Sequence, residues 1–336
     1  MTDFRDHPDL ASRQLAGSVV WASDELFAQR ENLIKPEPST FSAEEFGHKG
    51  KVYDGWETRR RRDGGEHDQA IVRLGAPGVI HGVVVDTAWF TGNYPPHISI
   101  EAVEIDDHVG PEELLAASWT TLVDKSPAQG DTENLYPVAD PHRYTHVRLT
   151  IYPDGGVARL RVHGEVVPDP RLLSGTIDLA ALENGGVVVD CSNRFYSPPH
   201  HVLLPGRARS MGEGWENARR RDDGNDHLTV ALAGRGAVRR VEIDTSYFVG
   251  NAPGEVRLVG IKGREDLDDP STWIPLVARR RALPDTRHVL VVDASDPVEL
   301  VRLDVYPDGG ISRLRVWGEI ESETYQRLLD EFNAER

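Results

Sequence analysis

The chain has 336 residues, a length that suggests about two domains, each able to bury its own core. Its 39% hydrophobic and 28% charged residues are those of an ordinary soluble globular protein, and no apolar run approaches the roughly 18 residues that span a bilayer. The 38 Lys and Arg against 55 Asp and Glu leave a formal charge of -17, a field that argues against nucleic acid or an anionic membrane as partner and still admits a small anion in a local pocket of arginines.

The first residues, MTDFRDHPDLAS, have no basic region and no apolar region, so no secretory signal is expected. The single cysteine, Cys191, cannot form an internal disulfide, which fits a reducing cytoplasm. Behind Asp54 comes GWETRRRRDGG, from Gly55 to Gly65. The runs GVIHGVVVDTAWF, HISIEAVEI, THVRLTIY and ARLRVHGEV follow, rich in β-branched residues and partly alternating, and they predict short strands. Between the last two, Tyr152-Pro-Asp-Gly-Gly places Pro in a turn and Gly where positive φ is needed. Pro111 to Ser118 predicts one short helix, and Leu172 to Leu182 belongs to a connector.

The chain then repeats itself. GWENARRRDDG runs from Gly214 to Gly224, AVRRVEIDTSYF answers GVVVDTAWF, and EVRLVGI, VELVRLDVY and SRLRVWGEI supply the later strands. Tyr152 to Val166 matches Tyr306 to Ile320, and VWASDELF corresponds weakly to VDCSNRFY. The period is about a domain long, so the chain is a duplication of domains rather than a short-period solenoid. Residues 1–168 form the first repeat, 169–183 the connector, 184–321 the second repeat, and 322–336 a C-terminal helix with Ser322 available as its cap. Short strands separated by turns predict an all-β chain with one antiparallel sandwich per repeat.

This ordered set of motifs, DGWETRRRR with HD, VDTAWFTGNYP, EGWENARRR, DTSYFVGNAP and the closing YPDGG with RLRV, resembles the allantoicase family from about Asp24 to Glu319. The resemblance implies two tandem jelly-roll domains similar to galactose-binding and discoidin domains, a cytoplasmic homo-oligomer, and hydrolysis of allantoate to ureidoglycolate and urea in purine breakdown. The second copy departs from the first: Ala218 stands for Arg59, and Ala252-Pro253 for Tyr94-Pro95. Gln69 stands after Asp68, where the family suggests an aromatic.

Expelling urea needs a proton at the leaving nitrogen and water at the central carbon while the substrate carboxylate is held. A guanidinium fork matches such a carboxylate. Arg60, Arg61 and Arg62 are the candidates, with Arg59 set aside because the other copy lacks it. If the run is extended, Arg59 and Arg61 face one side and Arg60 and Arg62 the other, so the run cannot act as a single patch. The structural alternative pairs these arginines with Asp54, Glu57, Asp63 and Glu66, or with the second domain. Asp68, Glu57 and Asp86 are the catalytic candidates, Asp68 being preferred as acid or base over its neighbour His67. Thr87, Thr91, Gly92 and Asn93 on the loop after the VDT strand could bind the ureido groups, or simply form a tight turn.

The second-copy equivalents are Glu216, Arg219, Arg220, Arg221, Asp226, Asp244 and Asn251. Arg161, Glu165, Arg315 and Glu319 read as fold residues, and Trp56 and Trp215 as core anchors. No HExxH and no His/Cys cluster of zinc spacing occurs, so neither metal nor cofactor is expected. A tandem carbohydrate-binding module on the same fold is the competing reading. It expects exposed aromatic platforms, for which Trp89 and Tyr94 could serve, although the arginines fit an anion better. A third reading is a non-catalytic scaffold for other enzymes of purine breakdown.

Overall fold

The computed structural model describes residues 3–48, 50–62, 64–293 and 296–334. The chain divides into two compact units, Met1–Val167 and Pro168–Arg336. Both are built almost wholly of antiparallel strands, and each is a jelly-roll sandwich.

One strand organises unit 1. Asp68–Asp86 runs for 19 residues and serves both sheets. Its first part pairs with Ser18–Ala22 and Arg143–Tyr152, and its second with Arg159–Val166 and Glu133–Pro137. The register shifts between Arg73 and Gly78, where the strand turns the corner from one sheet to the other. The sequence pattern places a strand only from Gly78. Gly75 and Pro77 hid the earlier half, and both lie at the corner, where a proline is tolerated.

This bend brings the two ends of the strand together. Asp68 pairs with Ile151 and Asp86 with Arg159, and these partners are joined by the short link through Tyr152-Pro153-Asp154-Gly155-Gly156. Asp68 and Asp86 therefore stand at the same end of the sandwich, with the loops that connect the strands there. In that link the Tyr152–Pro153 bond is cis and Gly155 has φ +143, the conformation for which the turn needed glycine.

Unit 2 repeats the plan. Asp226–Asp244 pairs first with Val187–Cys191 and Val298–Tyr306, then with Arg313–Ile320 and Arg287–Val291. Residues 168–183 pack into this unit without an α-helix: Ile177–Asp178 pairs with the last strand, and Asp178 Oδ1 accepts the N–H of Val316 at 2.8 Å. Helices form at Pro111–Ala116 and Ser322–Ala334. Ser322 lies inside the second helix, and the preceding Glu321 accepts the N–H of Tyr325, so Glu321 holds the capping position.

Trp56 and Trp215 are fully buried, as core anchors should be. At ~25 cal/mol per Å², burying an indole contributes roughly 5 kcal/mol before its ordering entropy. Each indole N–H also holds the start of a neighbouring loop, donating to the carbonyl of Asp24 at 2.7 Å and of Asn193 at 2.8 Å. The closing-strand arginines tie down the chain in the same way: Arg161 donates to the carbonyls of Lys35 and Pro36, and Arg315 to those of Leu203, Leu204 and Gly206.

Candidate active site

The arginine run leaves the core at a fixed point. Trp56–Glu57 pairs with Gly156–Val157, and the N–H of Thr58 donates to the carbonyl of Gly155. A Cβ on Gly55 would stand 2.7 Å from the Val157 oxygen, so only glycine lets the two segments approach this closely. Arg59 to Arg62 belong to no sheet. Instead the N–H of Arg59 donates to Asp24 Oδ1 at 2.8 Å and that of Arg61 to Asp154 Oδ2 at 2.7 Å.

This irregular path overturns the two-faced expectation. Arg59, Arg60, Arg61 and Arg62 all line one cleft of about 570 Å³, together with Ser23, Asp24 and Asp68. Strand alternation does not apply where two backbone amides are held by side chains instead of a ladder.

Asp68 forms the buried end of the cleft at 1% exposure. Its Oδ1 accepts from Ser23 Oγ and from Arg61 Nη2, each at 2.7 Å, while Oδ2 is buried and accepts no hydrogen bond among the described residues. Leaving a buried acceptor unmet costs about 1–3 kcal/mol, more for a charged group, so its presence calls for a reason such as catalysis. Arg59 pairs with Asp24 at 2.7 Å. Arg60 and Arg62 are exposed and form no ion pair among the described residues, which leaves two guanidinium forks open to a ligand. Two of the expected acidic partners are engaged elsewhere, Asp54 with Arg159 and Lys35 and Glu57 with Asn93, while Glu66 is exposed and forms no ion pair among the described residues. Asp63 lies outside the described residues.

The remaining candidates do not line the cleft. Glu57 is buried and accepts from Asn93 Nδ2 at 2.6 Å, and burial pushes its carboxyl above the usual range. Asp86 accepts the N–H of Ala88 at 2.8 Å, and burial raises its carboxyl too. Thr87 is fully buried, and its hydroxyl donates to the carbonyls of Gln129 and Thr132. Thr91 and Gly92 are exposed on the loop, and His67 is exposed beside the Tyr152 ring. Trp89, one aromatic that a sugar platform would use, stacks on Phe41 and donates its indole N–H to Ser39, while Tyr94 packs over Gly130.

Unit 2 places its equivalents alike. Asn251 donates to Glu216, Asp244 accepts from the N–H and hydroxyl of Ser246, and Arg220 meets Asp226 at 2.9 Å, with Arg219 and Arg221 exposed on either side.

Sequence reasoning missed Ser23, Asp24 and Asp154 and set Arg59 aside. The signal was present in the weak match of ASD with CSN and in the aspartate of YPDGG, both of which recur in the second copy.

The allantoicase repeat, as a sequence family, matches residues 8–167 and 177–321. A protein of Nocardia farcinica named "Probable allantoicase" is 55% identical over 94% of this chain and 95% of its own length. The allantoicase of Dictyostelium discoideum is 40% identical over 92% of this chain and 86% of its own. The crystal structure of allantoicase from Saccharomyces cerevisiae superposes with a TM-score of 0.77 at 34% identity, covering 93% of this chain and 92% of that one.

Proposed function

The chain belongs to the allantoicase family, and from that premise we propose how its own residues carry out the family's reaction, hydrolysis of allantoate to ureidoglycolate and urea. The observation that carries the reading is the cleft lined by four arginines, one of which, Arg61, grips a buried, half-satisfied Asp68.

Allantoate brings one carboxylate and two ureido groups on a single carbon. Arg60 and Arg62 hold the carboxylate, since their guanidiniums are the ones without an ion pair among the described residues. Arg61 is fixed by Asp154 and Asp68 and sets the position of the Asp68 carboxylate. Water attack breaks an O–H bond and forms C–O, and urea departure breaks C–N and forms N–H. The proton lost by water is therefore the one the leaving nitrogen needs. A single carboxylate can carry it, and Asp68, an acceptor already oriented by two donors, takes that role. Glu57, Asp86, Thr87 and Asn93 act by shaping the loops around the cleft, and Thr91 and Gly92 lie on the rim of that loop end.

The ligand is a small anion rather than a nucleic acid, a reading supported by the charge of -17 with arginines gathered locally. No helix among the described residues is long and apolar enough to cross a membrane. We place the protein in the cytoplasm as a homo-oligomer, supported by the family resemblance and the lone Cys191. Urea release from allantoate by the purified chain tests the function. A folded preparation that releases none would refute it.

A further inference from the structure

Unit 2 repeats the buried part of the unit 1 site bond for bond. Ser192 Oγ and Arg220 Nη2 each donate to Asp226 Oδ1 at 2.9 Å, and the N–H of Arg220 donates to Asp308 Oδ2 at 2.8 Å. Asp226 is 1% exposed, and its Oδ2 is buried without a hydrogen-bond partner among the described residues, as is that of Asp68. Arg220 Nε, beside it, is buried and without a hydrogen-bond partner among the described residues as well, as is Arg61 Nε in unit 1, so the pair holds a donor and an acceptor with unmet capacity in both units. Arg219 and Arg221 are exposed and form no ion pair among the described residues, like Arg60 and Arg62. Asp222 also grips Arg220, and its counterpart Asp63 lies outside the described residues.

What unit 2 lacks is the Asp24–Arg59 pair, replaced by Asn193 and Ala218. Both members of that ion pair are neutral in unit 2. Among the cleft residues of unit 1 and their equivalents, four guanidiniums face two carboxylates in one unit and three face one in the other, the same excess of positive charge. The loop geometry survives too: Asn193 Oδ1 accepts the N–H groups of Phe195 and Ala218, as Asp24 Oδ1 accepts those of Leu26 and Arg59.

We propose that unit 2 is a second hydrolytic centre for the same ureido carboxylate, with Arg219 and Arg221 holding the carboxylate and Asp226 carrying the proton from water to the leaving nitrogen. The proposal rests on the reading of unit 1, since the roles are those assigned there. It requires that neither Asp68 nor Asp226 alone account for turnover.

The test is the initial rate of urea release at low allantoate by full-length Asp68→Asn, Asp226→Asn and the double variant. Arg219→Ala/Arg221→Ala is run beside them, because its exposed positions leave folding undisturbed. Each single variant is expected to keep about half the rate and the double variant less than about one hundredth, as two independent sites require. The arginine variant should keep about half as well. A wild-type rate in Arg219→Ala/Arg221→Ala overturns the second centre, whatever Asp226→Asn does, and so does loss of nearly all activity in Asp68→Asn alone. A double variant that still releases urea at the wild-type rate overturns the unit 1 reading instead.

Discussion

The Arg61 guanidinium lies 2.7 Å from Asp68 Oδ1, and this contact joins an irregular arginine loop to the first residue of the longest strand in the unit. Asp68 is thereby held by the sheet and Arg61 by the Asp154 amide contact, so the pair is rigid while Arg60 and Arg62 stand open beside it. In the proposed reaction, substrate binding falls to the open pair. In the Asp226→Asn background, Arg60→Ala/Arg62→Ala should raise KM about 10- to 100-fold, the loss of a charged hydrogen-bond partner for the carboxylate. Steady-state urea kinetics check this. A fall in kcat with KM unchanged would assign the arginines a different role.

Glu57 is placed as a structural acceptor. Burial pushes its carboxyl above the usual range, so folding works against its ionised form, while Oε1 receives Asn93. Glu57→Gln keeps that acceptor and removes the charge. It should leave kcat within about twofold and thermal stability equal or higher wherever Glu57 is ionised in the wild type, with the gain fading as pH falls and Glu57 protonates. A loss of kcat of about 100-fold would make Glu57 catalytic.

His146 gives the fold a sensitivity to acid. Burial, with Arg73 nearby, pushes its imidazole from 6.5 down to about 4. Between those values the unfolded chain binds a proton that the folded chain refuses. The stability present above pH 6.5 is therefore lost as pH falls toward 4, by about 3 kcal/mol at ~1.4 kcal/mol per unit. Denaturant titrations across this range should show the loss in the wild type and a flatter profile in His146→Gln.

Gly156 carries a packing constraint. A Cβ there would fall 2.0 Å from Phe90 Cε1, and Gly310 stands in the same relation to Phe248 at 1.9 Å. Both rings are fully buried and cannot yield. Gly156→Ala should cost at least about 3 kcal/mol in chemical denaturation, with Phe90→Leu in the same chain recovering part of it.

The duplication, the sandwich class and the arginine run were legible because each lies in a contiguous motif written twice. The architecture of the cleft was not. Ser23 reaches Asp68 across 45 residues, Asp24 reaches Arg59 across 35, and Asp154 reaches Arg61 across 93. Contacts of that span leave no local periodicity. The alternation rule failed at Arg59 to Arg62 for the same reason, because side chains from distant loops, and no neighbouring strand, set the backbone there. Turn residues and binding residues share one chemistry, so the sequence alone did not separate the two roles at Thr87 and Asn93; in the structure Thr87 is fully buried and Asn93 donates to Glu57.

The most direct test of the account is urea release from allantoate by the wild type beside the Asp68→Asn/Asp226→Asn chain, with folding followed by circular dichroism. The account predicts steady release by the wild type and a rate lower by at least about 100-fold in the folded double variant. Wild-type release by the double variant would place the chemistry away from the aspartate–arginine pairs.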